Sequence, residues 1–144
     1  MVDNVDLLVV GGPTHAHGMS RRQTRVAAEN MAAKLGSTLE LEPGAVEFGL
    51  REWFRTLRVH DGLVTAAFDT RGNGPSLFTG RASRRIERQL RKLGAHVAST
   101  KSFFVEGNDR LAPNQIEKAR AWGLMLAVVT RIEPATDPHL EPRR

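Results

Sequence analysis

A chain of 144 residues, 40% apolar and with a net charge of +5, is long enough for one domain with its own core. It has no cysteine, which excludes disulfides and thiolate metal sites, and no apolar run of roughly eighteen residues, which excludes a membrane-spanning helix. The opening "MVDNVDLLVV" carries acids where a signal peptide needs basic residues, so a cytoplasmic protein is expected.

Residues 7–10, a short apolar run between Asp6 and Gly11-Gly12, read as a strand buried on both faces of a parallel sheet. After the loop "GGPTHAHGM", Ser20 and Gln23 have the spacing of a capping box. Ala28, Met31, Ala32 and Leu35 then recur at helical spacing, and Gly36 supplies a stop. Val46, Leu50, Trp53, Phe54 and Leu57 form a second, shorter apolar stripe. Residues 63–68, "LVTAAF", read as a second buried strand. The loop that follows, "DTRGNGP", turns sharply on its glycines.

The segment "GRASRRIERQLRKLG" places Ala82, Ile86, Leu90 and Leu93 on one helical face. Arg81, Arg84, Arg85, Arg88, Arg91 and Lys92 fill the rest. An amphipathic helix needs such a polar face, and no aromatic residues interleave for stacking on bases. The arginines therefore read as solvated, and nucleic acid is not an expected partner. Residues 96–98 and 102–105 form a third strand zone. Pro113 opens a last helix whose apolar positions are Ile116, Ala119, Trp122, Gly123, Leu126 and Ala127. Residues 131–144 are rich in proline and charge and read as a disordered tail.

Strands alternating with helices predict one open, mostly parallel α/β sheet over residues 1–130. Ligands of such sheets bind where strands end, here at residues 11–19, 69–75 and 106–112. His15 and His17 are a weak metal signal, because zinc wants a third or fourth ligand at readable spacing; the bland reading is a structural turn. Asp69 either caps its own turn or accepts a hydrogen bond from a ligand. Arg71 is either exposed or a phosphate partner. Trp53 and Trp122 lie on apolar stripes and read as core. The chain contains no dinucleotide fingerprint, Walker loop or nucleophile elbow.

"VVGGPTHAHG" followed by "AAFDTRGNGP" resembles the flavodoxin-like family, and in particular its small flavodoxin-domain proteins from actinobacteria. The resemblance covers residues 5–130. It implies an open, three-layer flavodoxin-like sheet in which residues 7–10, 63–68 and 96–105 are the family's third, fourth and fifth strands. It implies an FMN cofactor, with Pro13, Thr14, His15, Ala16, His17 and Gly18 on one side of the flavin ring and Phe68, Asp69, Thr70, Arg71 and Gly72 on the other. The activity implied is electron transfer to a redox partner protein, with no dedicated acid or base, rather than that of a classical enzyme. Tyrosine, a common stacking residue in the family, is absent. The family's N-terminal unit carries a Ser/Thr-rich loop that grips the flavin phosphate on a helix N-terminus. No such loop precedes residues 7–10, so an N-terminally shortened form is expected. Its bare first strand invites pairing with a second copy of the chain. The alternative is a cofactor-free remnant acting as a structural or interaction module.

Overall fold

The computed structural model describes residues 2, 5–14, 19–34, 49–73, 80–107 and 110–132. These form strands β1 (Leu8–Pro13), β2 (Val64–Gly72), β3 (His96–Glu106) and β4 (Arg110–Leu111), with helices α1 (Arg22–Ala32), α2 (Leu50–Thr56), α3 (Ala82–Lys92) and α4 (Gln115–Ile132). The strands make one sheet in the order β1-β2-β3-β4. The first three are parallel, and the two-residue β4, which has no sequence signal, returns antiparallel on β3. The expected mostly parallel α/β architecture is present. Residues 133–144, which include nearly all of the predicted tail, lie outside the described residues, as do Leu35, Gly36 and Val46.

The strands run further than the hydrophobic pattern predicts. β1 takes in Gly11, Gly12 and Pro13, and β2 takes in Asp69 to Gly72, because Gly11 pairs with Phe68, Gly12 with Asp69 and Pro13 with Thr70. Proline is tolerated there because β1 pairs on one side only among the described residues. The two predicted segments of the third zone are one strand. A register shift lies between Thr65 and Ala66, which pair with Val97 and Ser99.

Side-chain alternation sends Val10, Ala67 and Val97 to one face of the sheet, where Ile86 and Leu90 of α3 are fully buried against them. Ala82 is also fully buried, as the helical spacing predicts, and Gly94 ends the segment at φ +88°. Phe54 of α2, Leu57 just beyond its end and Met19 complete this core, with Leu50, Trp53 and Leu93 partly buried against it. α4 meets alternate residues of the sheet. Phe68, Phe103 and Trp122 pack edge to face with centroids 5.8–6.1 Å apart. The Trp122 indole Nε1 donates to Ser99 Oγ at 2.8 Å. Both tryptophans are thus packing residues, as read from the sequence.

Three expectations fail for packing reasons. β1 is not buried on both faces: Val10 is 4% exposed but Val9 is 42% exposed, because α4 lies along β3 and leaves β1 uncovered. The α4 stripe is correspondingly open, with Leu126 buried but Ile116, Ala119, Gly123 and Ala127 exposed. α1 buries no side chain at all, and Met31 stands free. Its N-terminus is organised by Thr24, whose Oγ1 accepts from the Arg21 N–H at 2.9 Å, in place of the Ser20–Gln23 pair. α1 is held to α2 by Arg25 and Glu52, 3.3 Å apart. Glu52 also accepts from the Gly49 N–H at 3.0 Å, which caps α2. Burial alone raises the Glu52 carboxyl, but hydrogen bonds from its own and the Gly49 N–H, with the Arg25 charge, outweigh it and hold it below the usual glutamate range.

Gly11 shows how tightly β1 and β2 are matched. A Cβ built there lands inside the Phe68 ring, and that ring is wedged against Phe103 and Trp122. Gly11→Ala is therefore expected to destabilise the fold by about 1–3 kcal/mol, the usual range for overpacking. Urea denaturation measures this, and an unchanged midpoint would contradict the packing described.

Candidate functional site

Parallel strands release their loops at the same end of the sheet. The β1–β2 pairing runs to Pro13–Thr70 and is extended by the Thr14 N–H donating to the Thr70 carbonyl at 2.8 Å. The two sequence motifs therefore leave neighbouring strands side by side. His15, Ala16, His17 and Gly18 lie outside the described residues, as do residues 74–79.

The described motif residues divide between the two faces of the sheet. Because 68–72 is strand rather than loop, the period of two applies. Asp69 and Arg71 face the α3 side, while Phe68 and Thr70 face the α4 side. Pro13 is exposed and Gly72 has open space around it. The described candidate residues thus form two groups with different neighbours.

On the α3 side, Asp69 is fully buried. Its Oδ2 accepts from Thr14 Oγ1 at 3.2 Å and from the Ser83 backbone N–H at 2.8 Å. Thr14 Oγ1 in turn accepts from the Ala82 N–H at 3.0 Å. α3 begins after Arg81, whose side chain offers no cap. Its first N–H groups are therefore satisfied by residues carried on two strands. A carboxylate at that position also complements the positive end of the helix dipole. Asp69 caps a helix fourteen residues away instead of its own turn. The signal available in the sequence was an acid at a strand end ahead of a helix with no Ser, Thr, Asp or Asn at its own N-cap. Asp69 Oδ1 and Ser83 Oγ are buried and have no hydrogen-bond partner among the described residues.

Arg71 is buried rather than exposed, 6% accessible, with its guanidinium 4.7 Å from the Phe104 ring centre. Desolvation, then repulsion from Arg81, lowers its pKa, and Asp69 opposes both. On the α4 side, Phe68, Phe103, Trp122, Leu126 and Val9 line a shallow, nearly apolar hollow of about 420 Å³. Gln115 closes its end: buried, it accepts from the Phe104 N–H through Oε1 at 3.2 Å. No group of three or more His, Asp or Glu among the described residues is placed to hold a metal, and no helix among them is long and apolar enough to cross a membrane.

Truncation of Asp69 leaves the Ser83 N–H buried without an acceptor. Asp69→Ala is expected to lower stability by about 1–3 kcal/mol, read as a shifted denaturant midpoint. A loss within experimental error would show that the cap is dispensable.

No family model, no curated protein and no solved structure matches this chain.

Proposed function

We propose that the chain is a three-layer, flavodoxin-like domain that binds FMN and transfers electrons, its flavin lying at the tips of β1 and β2. The observation that carries this reading is the parallel pairing of β1 and β2 out to Pro13–Thr70 and Thr14. It brings Pro13 and Thr14 beside Thr70 at one end of the sheet, where open α/β folds place ligands. The described residues do not by themselves form the ring end of such a site: Asp69 Oδ1 lacks a partner among them, but Asp69 is fully buried and presents no surface to a ring. Thr14 and the N–H groups of Ala82 and Ser83 are engaged with one another and with Asp69, so they hold the tips in place rather than gripping a phosphate. A bound flavin supplies one- and two-electron chemistry. The chain's part is to orient the ring and exclude water.

The cofactor-free alternative, an interaction module, is favoured by a different observation. Val9, Leu111, Leu124, Met125 and Val128 are large apolar residues 39–71% exposed, and β1 is an unpaired edge among the described residues. A second copy pairing along β1 covers both the edge and Val9.

Titration of the purified chain with FMN separates the two. Saturable binding with a perturbed flavin spectrum supports the cofactor reading. Under it, His15→Leu with Gly18→Leu weakens binding about tenfold or more, about 1.4 kcal/mol. No binding at any attainable FMN concentration removes it. Light scattering tests the alternative: a dimer that Val9→Glu converts to a monomer supports it, and a wild-type monomer at high concentration contradicts it.

A further inference from the structure

The basic helix α3 does not present a uniformly solvated face. Arg91 turns toward Glu87, at 2.9 Å, and Glu87 is bound by Thr100 as well. Arg85, Arg88 and Lys92 line the other side, where α3 meets Arg51 and Arg55 of α2. Two adjoining hollows of about 260 and 160 Å³ lie there, sharing Met19, Arg51 and Gln89. Among the described residues no carboxylate lines either hollow. The acids on the flanking helices are committed elsewhere, Glu52 to Arg25 and the Gly49 N–H, and Glu87 to Arg91 and Thr100.

Arg51 is the organised member of the set. Its Nε donates to the Ser20 carbonyl at 3.1 Å and its Nη2 to the Met19 carbonyl at 3.2 Å. These bonds fix the plane of the guanidinium before any ligand arrives. Desolvation, then the charges of Arg21 and Arg85, lowers its pKa, and Glu52 opposes them. Like charges gathered in a concave, partly dry site raise the free energy of the empty state, and an anion relieves it.

We infer that the groove between α2 and α3 binds a multiply charged phosphate group carried by a small molecule, with pyrophosphate as its minimal form. Guanidinium forks match phosphate oxygens in pairs, and a planar, pre-oriented donor loses little freedom on binding. The volumes suit a compact anion. The apolar residues at the groove, Met19 and Phe54, are buried at 4% and 7% exposure and offer no exposed ring on which a base stacks. None of the groove residues belongs to the flavin reading, so the two proposals stand or fall separately.

Calorimetry of the full chain with inorganic pyrophosphate, at an ionic strength of about 0.15 M where long-range attraction is screened, tests the inference. Saturable one-to-one binding is expected. Arg85→Gln with Arg88→Gln, both lining the groove from α3, is expected to weaken it roughly tenfold or more at an unchanged unfolding midpoint. Arg55→Gln offers a second groove variant with the same expected direction. Arg120→Gln, an exposed arginine on α4, should leave it unaltered. The inference is overturned by absence of saturable binding or by an equal loss in Arg120→Gln. It is also overturned if a short oligonucleotide binds with a steep salt dependence and pyrophosphate fails to compete with it.

Discussion

The Asp69 carboxylate joins three elements that are far apart in sequence. It sits in the second half of β2, takes the Thr14 hydroxyl from just past the end of β1, and takes the Ser83 N–H from the start of α3. Each partner has a reason to be there. Thr14 is brought across by the β1–β2 register, and α3 lacks a cap of its own. A buried carboxylate without hydrogen bonds is strongly disfavoured, whereas one receiving a backbone N–H and a hydroxyl gains charge-assisted bonds, each worth about 1.5–3 kcal/mol. Anchored at its first turn, α3 drops Ile86 and Leu90 onto Val10, Ala67 and Val97. The same clasp sets where the two motif segments leave the sheet.

The two faces of the sheet differ because of what covers them. The α3 face is closed by α2, Met19 and the helix itself, and the cationic side chains that cannot enter its core gather at the α2–α3 seam. The opposite face is covered by α4 over β3 only. It leaves an aromatic cluster with an apolar hollow beside it and Val9 open to solvent. The arginine-lined groove and the apolar hollow thus lie on different sides of the sheet, two surfaces of distinct chemistry in addition to the strand tips.

The α/β alternation was legible because β2 and α3 carry clean periodic patterns. Val64 to Ala67 are all buried, and Ala82, Ile86 and Leu90 fall where helical spacing puts them. α1 and α4 misled because an apolar stripe reports capacity to pack, not the presence of something to pack on. Met31 and Ile116 satisfy the spacing and remain in water. The strand ends were the least legible, since Gly-Gly-Pro and Asp-Thr-Arg-Gly are turn-forming residues that pairing with a neighbour held extended. That difference decides the site, because extension divides 68–72 between two faces. The burial of Arg71 over Phe104 depends on β2–β3 register, which no single segment encodes. The clasp itself needs Thr14, Asp69 and Ser83 at once, a juxtaposition set by topology rather than by spacing.

A double-mutant cycle at Thr14 and Asp69 tests the clasp most directly. Thr14→Val, Asp69→Ala and the pair are compared by denaturant unfolding. If both residues serve one network, the double variant loses less than the sum, with a coupling of about 0.5–3 kcal/mol. Losses that add to within about 0.3–0.5 kcal/mol would mean that the two strand tips are stabilised independently, and the organisation described for this end of the sheet would be wrong.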